Sequence, residues 1–283
     1  MSDSSGKEPL DPPYHAPIEP GAATRWQRWS VSFLLILLTI NGWLTVRHID
    51  LESRSNREHL FWSICHEGGT PESRREVFLA LVADGNAIWT AARLRKLELD
   101  KVDLAGSLLP EVILDGSRLR DADLSRADLL RASLKTTDLR GASLHGAQME
   151  EIVALKAKID DANFYEANLQ SASMEQVHAH DANFAKADLS DSYLYMGDFT
   201  GASFTAANLT DANLEAAVFR NADLSLAIMD GVRLVDADFS GANWWRAQGL
   251  TQAQLDELSA KFAPDEDASA DRRDDYQRWV GAK

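Results

Sequence analysis

Few groupings in this sequence could carry chemistry. His178 and His180 flank Ala179, but two imidazoles fall short of the three or four protein ligands a zinc site uses. Cys65 and His66 make a thiol–imidazole pair. Cys65 is the only cysteine, so no internal disulfide is possible, and no second pair lies nearby to complete a metal set. An ordinary half-buried thiol fits it better. The chain has no P-loop, no nucleophile elbow, no HExxH helix and no calcium-binding nonapeptide. These absences predict a protein that is not an enzyme, with no catalytic residue, no metal and no cofactor. The side chains left for binding are aromatics, Tyr165, Tyr193, Tyr195 and Trp245, types favoured at interface hot spots.

Composition narrows the partners. The chain carries 44 acidic against 29 basic residues, a net charge of −15. Direct binding to nucleic acid needs clustered Lys and Arg and is not expected. Acidity of this size also serves plain solubility.

Several elements precede and follow the body of the chain. Residues 1–24 are rich in Pro, Asp, Glu, Ser and Gly without an apolar period, which predicts a disordered tail. Residues 25–47 read as a single transmembrane helix. Its core, residues 29–46, holds 18 uncharged residues, and at about 1.5 Å each it nearly spans a bilayer core of about 30 Å. Trp26, Trp29 and Trp43 stand near its ends, where indoles prefer the interface. The expected location is therefore a bacterial-type inner (cytoplasmic) membrane, crossed once. Arg47, Arg54 and Arg57 against Arg25 and Arg28 mildly favour a cytoplasmic C-terminal side, whereas a short tail ahead of one anchor favours the reverse. The side stays open. Residues 48–69 read as a juxtamembrane helix or stalk. Val46, Ile49, Leu60 and Ile64 suggest a heptad seam and a homodimer, although Ser53 and Asn56 interrupt it. Thr70-Pro71 then opens a cap helix over 70–91, with Phe78, Leu81 and Val82 on its apolar face. After the body, residues 250–263 read as a C-terminal cap helix with Leu255, Leu258 and Phe262 on one side. Residues 264–283 form an acidic tail, of which 264–275 are loose by composition, while Tyr276, Trp279 and Val280 either dock or fray.

The body, residues 92–249, repeats every five residues. From Leu104 to Trp244 there are 29 consecutive centres, of which sixteen are Leu, six Phe and three Met, with no slip of register. Two residues earlier the position is small, Ala in 19 of the 29, and Asp or Asn lies between the pair in 14 repeats. A helix cannot hold this period on one face, because five residues at about 100° each wind the stripe around the surface. A flat strand fails as well, since an odd period alternates faces. A chain that turns a corner every five residues brings the small and the large residue inward together. The Asp or Asn can then hydrogen-bond local backbone at the corner.

The motif, seen as Ala122-Asp123-Leu124-Ser125-Arg126 and Ala212-Asn213-Leu214-Glu215-Ala216, resembles the pentapeptide-repeat family. That resemblance implies an all-β solenoid, a right-handed quadrilateral β-helix with four repeats per coil. It would run to seven or eight coils, about 35 Å long at about 4.8 Å per coil. Residues 20 apart would then stack. Phe164, Phe184 and Phe204 would share one face, and Phe199, Phe219 and Phe239 another, with Ala154 and Ala179 as thin spots.

The family includes proteins that protect DNA gyrase by imitating DNA, which would need long acidic columns. Under the implied register Asp161 stacks on Asp181, and Asp191 on Asp211. Glu111–Arg131–Glu151, Asp115–Lys135 and Glu166–Lys186 would alternate in sign, as surface ladders worth little each. Asp160 and His180 would make half a metal site. The function expected is a non-catalytic, membrane-anchored scaffold or protein-interaction module with an unknown protein partner. The alternative is a DNA-mimic inhibitor or protector of a nucleic-acid enzyme such as gyrase. The candidate surface is Tyr165, Tyr193, Tyr195, Trp245, Asp161, Asp181, Asp191 and Asp211.

Overall fold

The computed structural model describes residues 70, 75, 76, 78, 79 and 90–282, all within the compact unit Ser53–Lys283. The expected tail (1–24), membrane helix (25–47) and stalk (48–69) lie outside the described residues, as does most of the expected cap helix (70–91). Of that cap, Arg75, Glu76, Phe78 and Leu79 are helical, and Phe78 is fully buried in the same apolar core as the repeats. Among the described residues no helix is long and apolar enough to cross a membrane.

From residue 91 the chain coils. Parallel bridges join each partner to the residue 20 positions on, from Arg93 with Ile113 to Ile228 with Gln248. Five-residue repeats with a 20-residue coil make four sides. Around Leu124 the backbone donors separate cleanly. Asp123 N–H donates to Val102 O one coil before (2.9 Å), while Leu124 and Arg126 donate to Ser143 O and His145 O one coil after (2.7 and 2.8 Å). Ala127 N–H folds back onto Leu124 O at 3.0 Å. One donor of the five remains, that of Ser125, and the Asp123 carboxylate accepts it at 2.9 Å. Inside a packed solenoid an unpaired N–H is costly, so the corner Asp or Asn has a backbone task.

Thirteen of the fourteen corner Asp and Asn residues make this bond. The exception, Asn243, instead accepts Leu224 N–H at 2.6 Å, where the 3-10 turn Trp244–Arg246 breaks the last coil. In three repeats without a corner Asp or Asn, an aspartate from the coil below substitutes. Asp100, Asp115 and Asp160 accept the N–H groups of Arg120, Lys135 and His180 at 3.1, 3.2 and 3.1 Å.

Each side ends in a residue at positive φ. Every fifth residue from Ala91 to Gly241 is left-handed, and the non-glycine ones have φ of 54–61°. This conformation costs most L-residues roughly 1–2 kcal/mol and is least adverse for Gly, Asn and Asp.

The inward residues form one continuous core. Phe164, Phe184 and Phe204 stack at 4.8 and 5.0 Å, and Phe199, Phe219 and Phe239 at 5.2 and 5.1 Å. Edge contacts join the two columns, such as Phe184 with Phe199 at 6.0 Å. The centres Ala154 and Ala179 are buried as well, as members of the same core.

Two helices follow the repeats. Helix α1, Gln252–Phe262, starts at Thr251 with a reciprocal capping box to Gln254. It buries Leu258, and Phe262 meets Phe239 edge-on at 6.2 Å. Helix α2, Ala270–Ala282, takes in half of the stretch 264–275 expected to be loose, together with Tyr276 and Trp279, for which docking was one of two expectations. It is docked, because four aromatics outweigh the acidic composition. Tyr276 and Trp279 pack on Trp244 at 5.9 and 5.6 Å, and Tyr276 on Trp245 at 5.2 Å. Arg246 grips Asp275 through two bonds of 2.6 Å, and Arg272 reaches Ala242 O. Together these groups cover the end that a solenoid would otherwise leave open.

Candidate interaction surface

With the core sealed and most backbone donors spoken for, the outward side chains are what this molecule can offer, and the sides differ. One side, through residues 97–100 and their equivalents every 20 residues, pairs most of its charges. Arg118 meets Glu98 and Asp100 at 3.1 and 2.6 Å. Arg120 and Arg140, one coil apart, both converge on Asp138, at 2.7 and 2.8 Å. Their hydrogen bonds, that of Arg140 foremost, hold the Asp138 carboxyl far below the usual carboxylate range. His180 Nε2 contacts Asp198 at 2.9 Å, with Nδ1 3.7 Å from Asp160, and Arg220 meets Asp238 at 2.6 Å. The hydrogen bond with Asp198 raises the His180 pKa above its ordinary value. The half-site foreseen at Asp160 and His180 is thus part of an ion ladder. Among the described residues no three His, Cys, Asp or Glu side chains converge as metal ligands would.

The four aspartates expected to form acidic columns are Asp161, Asp181, Asp191 and Asp211, and all have left-handed backbone, with φ of 54–58°. Two of them lie across a glycine in the next coil. A Cβ on Gly201 would sit 2.2 Å from Asp181 Oδ1, and one on Gly231 2.1 Å from Asp211 Oδ1. Their columns therefore end after two acids, and their type follows from corner geometry. Of the ladders, Arg131–Glu151 and Lys186–Glu166 form at 2.9 and 3.3 Å, whereas Asp115 pairs with Arg95 at 3.5 Å rather than with Lys135.

The aromatics divide. Trp245 is 3 % exposed, which corrects its expected place on a free surface. The turn Trp244–Arg246 swings it inward, where Nε1 donates to Asp275 at 2.8 Å and Arg272 lies 5.3 Å from the ring. The sequence carried a signal for this in Asp275, Tyr276 and Trp279 at helical spacing, read too lightly because of the surrounding acids. Tyr165 is half-buried and engaged with its own chain. Lys186 Nζ lies 4.9 Å over its ring and bonds its hydroxyl at 2.5 Å and Glu166 at 3.3 Å. Tyr193 and Tyr195 remain, 49 % and 40 % exposed on one side of a single coil, with Met196 beside them at 49 %.

These features define a class, a four-sided β-helix assembled from five-residue repeats. The family model described as Pentapeptide repeats matches eight copies, over residues 87–126, 117–152, 157–195 and 198–234. The chain belongs to the pentapeptide-repeat family, whose members form right-handed β-helices. Among solved structures, the chain is similar to trypsin-treated QnrB1, a plasmid-mediated fluoroquinolone resistance protein, at 21 % identity over 61 % of this chain and 89 % of that one, TM-score 0.40. It is similar to HetL of the cyanobacterium Nostoc sp. strain PCC 7120, a protein involved in heterocyst differentiation regulation, at 26 % identity over 62 % and 98 %, TM-score 0.36. A thylakoid-lumen pentapeptide repeat protein of Arabidopsis thaliana follows at 21 % identity over 64 % and 88 %, TM-score 0.16. No curated protein matches the chain.

Proposed function

We propose that this protein is a non-catalytic interaction module, a rigid multi-sided surface for binding another protein, held at a membrane by residues 29–46. The observation that carries the reading is the division of labour within each repeat. Two of its five side chains fill the core, a corner Asp or Asn, where present, serves the backbone, and the remaining positions vary freely. Such a frame fixes outward side chains on a rigid grid, as a binding surface requires. The tether rests on the uncharged run and its tryptophan flanks alone.

DNA imitation is the weaker reading. Fourteen of the 23 acids between residues 101 and 248 are aspartates at the two corner positions, eight accepting backbone N–H and six at positive φ. The long acidic columns it requires are missing from the corners at Gly201 and Gly231.

Chemical crosslinking of the full-length protein in its own cells, followed by purification, tests the proposal. A stoichiometric protein partner in the membrane fraction is the expected result, and recovery of the chain alone contradicts it. In gyrase supercoiling assays with a quinolone, the full-length protein is expected to give no protection.

A further inference from the structure

The molecule contains an internal example of how its surface holds a cation. At Tyr165 an aromatic ring, its hydroxyl and Glu166 together cradle Lys186. The same components recur around Tyr195 without the lysine. Glu175 and Glu215 occupy the equivalent position one coil before and one coil after Tyr195, while Asp191 and Asp211 edge the same side. Among the described residues none of these four carboxylates is in an ion pair, and Glu175 Oε2 is shielded from solvent with no hydrogen-bond partner. The nearest basic residues on this side, Lys156 and Arg233, stand two coils from Tyr193–Met196 in either direction. Tyr193, Tyr195 and Met196 thus present apolar area inside an unbalanced negative rim. On the charged side Glu98, Asp100, Asp138, Asp198 and Asp238 each meet a base.

From this contrast we infer that the Tyr193–Tyr195–Met196 patch, with Glu175 and Glu215, docks an arginine- or lysine-bearing apolar segment of a partner protein. A guanidinium or ammonium group would take the place at Tyr195 that Lys186 takes at Tyr165, and its neighbouring apolar side chains would cover Tyr193 and Met196. The inference rests on the interaction-module reading and specifies its site.

The test uses the full-length protein labelled with 3-fluorotyrosine and, as probe, a short peptide of alternating arginine and leucine. An alternating glutamate–leucine peptide is the control. The arginine peptide is expected to shift the Tyr193 and Tyr195 fluorine signals saturably and to leave those of Tyr165 and Tyr276 in place. The control peptide shifts none. Anisotropy of a dye-labelled arginine peptide then reads affinity. Y193S/Y195S and, separately, E175Q/E215Q each weaken binding by about tenfold, the scale of a desolvated cation–π contact. D161N/D181N, two corner acids on another edge, leaves it unchanged. Equal movement of the Tyr165 signal, or full affinity in either patch variant, means diffuse attraction to net charge and overturns the proposal. Shifts that follow protein concentration without peptide identify a second copy as the occupant and overturn it also. A partner recovered by crosslinking in cells that leaves the Tyr193–Tyr195 patch indifferent removes this site alone. Recovery of no partner removes the module reading with it.

Discussion

The charged side of the β-helix and the side bearing Tyr193 share one backbone and one core, yet they use their outward positions in opposite ways. On the first, Arg118, Arg120, Arg140, His180 and Arg220 each meet a carboxylate within a coil. On the second, Glu175, Asp191, Asp211 and Glu215 surround exposed aromatics and pair with no described base. Net charge is therefore a poor guide to where a solenoid binds. Local pairing, read coil by coil, separates a side that satisfies itself from one that leaves valence over.

The largest effect should come from breaking what both sides share. Phe184 is fully buried, stacked between Phe164 and Phe204, and Phe184→Ala is expected to cost about 3–5 kcal/mol in urea unfolding. Both sides should lose order together. Asp275→Ala comes next, at about 1–3 kcal/mol, because it leaves the buried Trp245 Nε1 donor unpaired and frees Arg246. The hydrogen bonds of Arg246 hold the Asp275 carboxyl down to about 2. A carboxyl with a depressed folded-state pKa contributes stability in full above its unfolded value of 3.8 and loses it as pH falls through the folded value. Tryptophan fluorescence from the Trp244–Trp245 cluster should therefore change between about pH 4 and pH 2, with the native end better held than in the variant.

Glycine substitutions sharpen the corner geometry. Gly106→Ala meets nothing within 4 Å and should cost only the left-handed penalty, roughly 1–2 kcal/mol. Gly231→Ala, beside the aromatic side, must also displace Asp211 and should melt lower than Gly106→Ala.

Much of this was legible in the sequence, for a physical reason. A five-residue period that never slips requires a chain that turns a corner at every repeat, and the family resemblance it carries implied four repeats per coil, so that residues 20 apart stack and both Phe columns follow. The corner Asp was legible too, since few residues can bond a backbone N–H two positions on. The surface was harder. Asp191 and Asp211 looked like charge placed for a partner, but their positive φ gives them a backbone reason invisible without coordinates. Trp245 occupies an outward repeat position and would have pointed to solvent had the 3-10 turn not ended the repeats there. Asp100, Asp115 and Asp160 as substitutes for a missing corner acid could have been found by asking which repeats lacked one and reading 18 residues back.

Smaller effects separate the two sides. His180→Gln should lower stability by no more than about 1 kcal/mol, since the pair is half exposed. Because the His180 pKa is raised above 6.5, its contribution is complete below that pH and is lost as pH rises through the folded value. The difference in melting temperature between His180→Gln and the parent should thus be visible near pH 6 and vanish in alkaline buffer. Asp160, Asp181 and Asp198 are the acids that face this imidazole and set the effect. Smallest of all, Y193S/Y195S should change stability by less than about 0.5 kcal/mol, as expected of side chains with no structural duty.

The most direct measurement places a photo-crosslinking amino acid at Tyr193 in one full-length variant and at Lys158, on the charged side, in another. Both are irradiated in the protein's own cells. The account predicts an adduct with another protein from position 193 and none from position 158. Adducts of equal yield from both, or from position 158 alone, would contradict it.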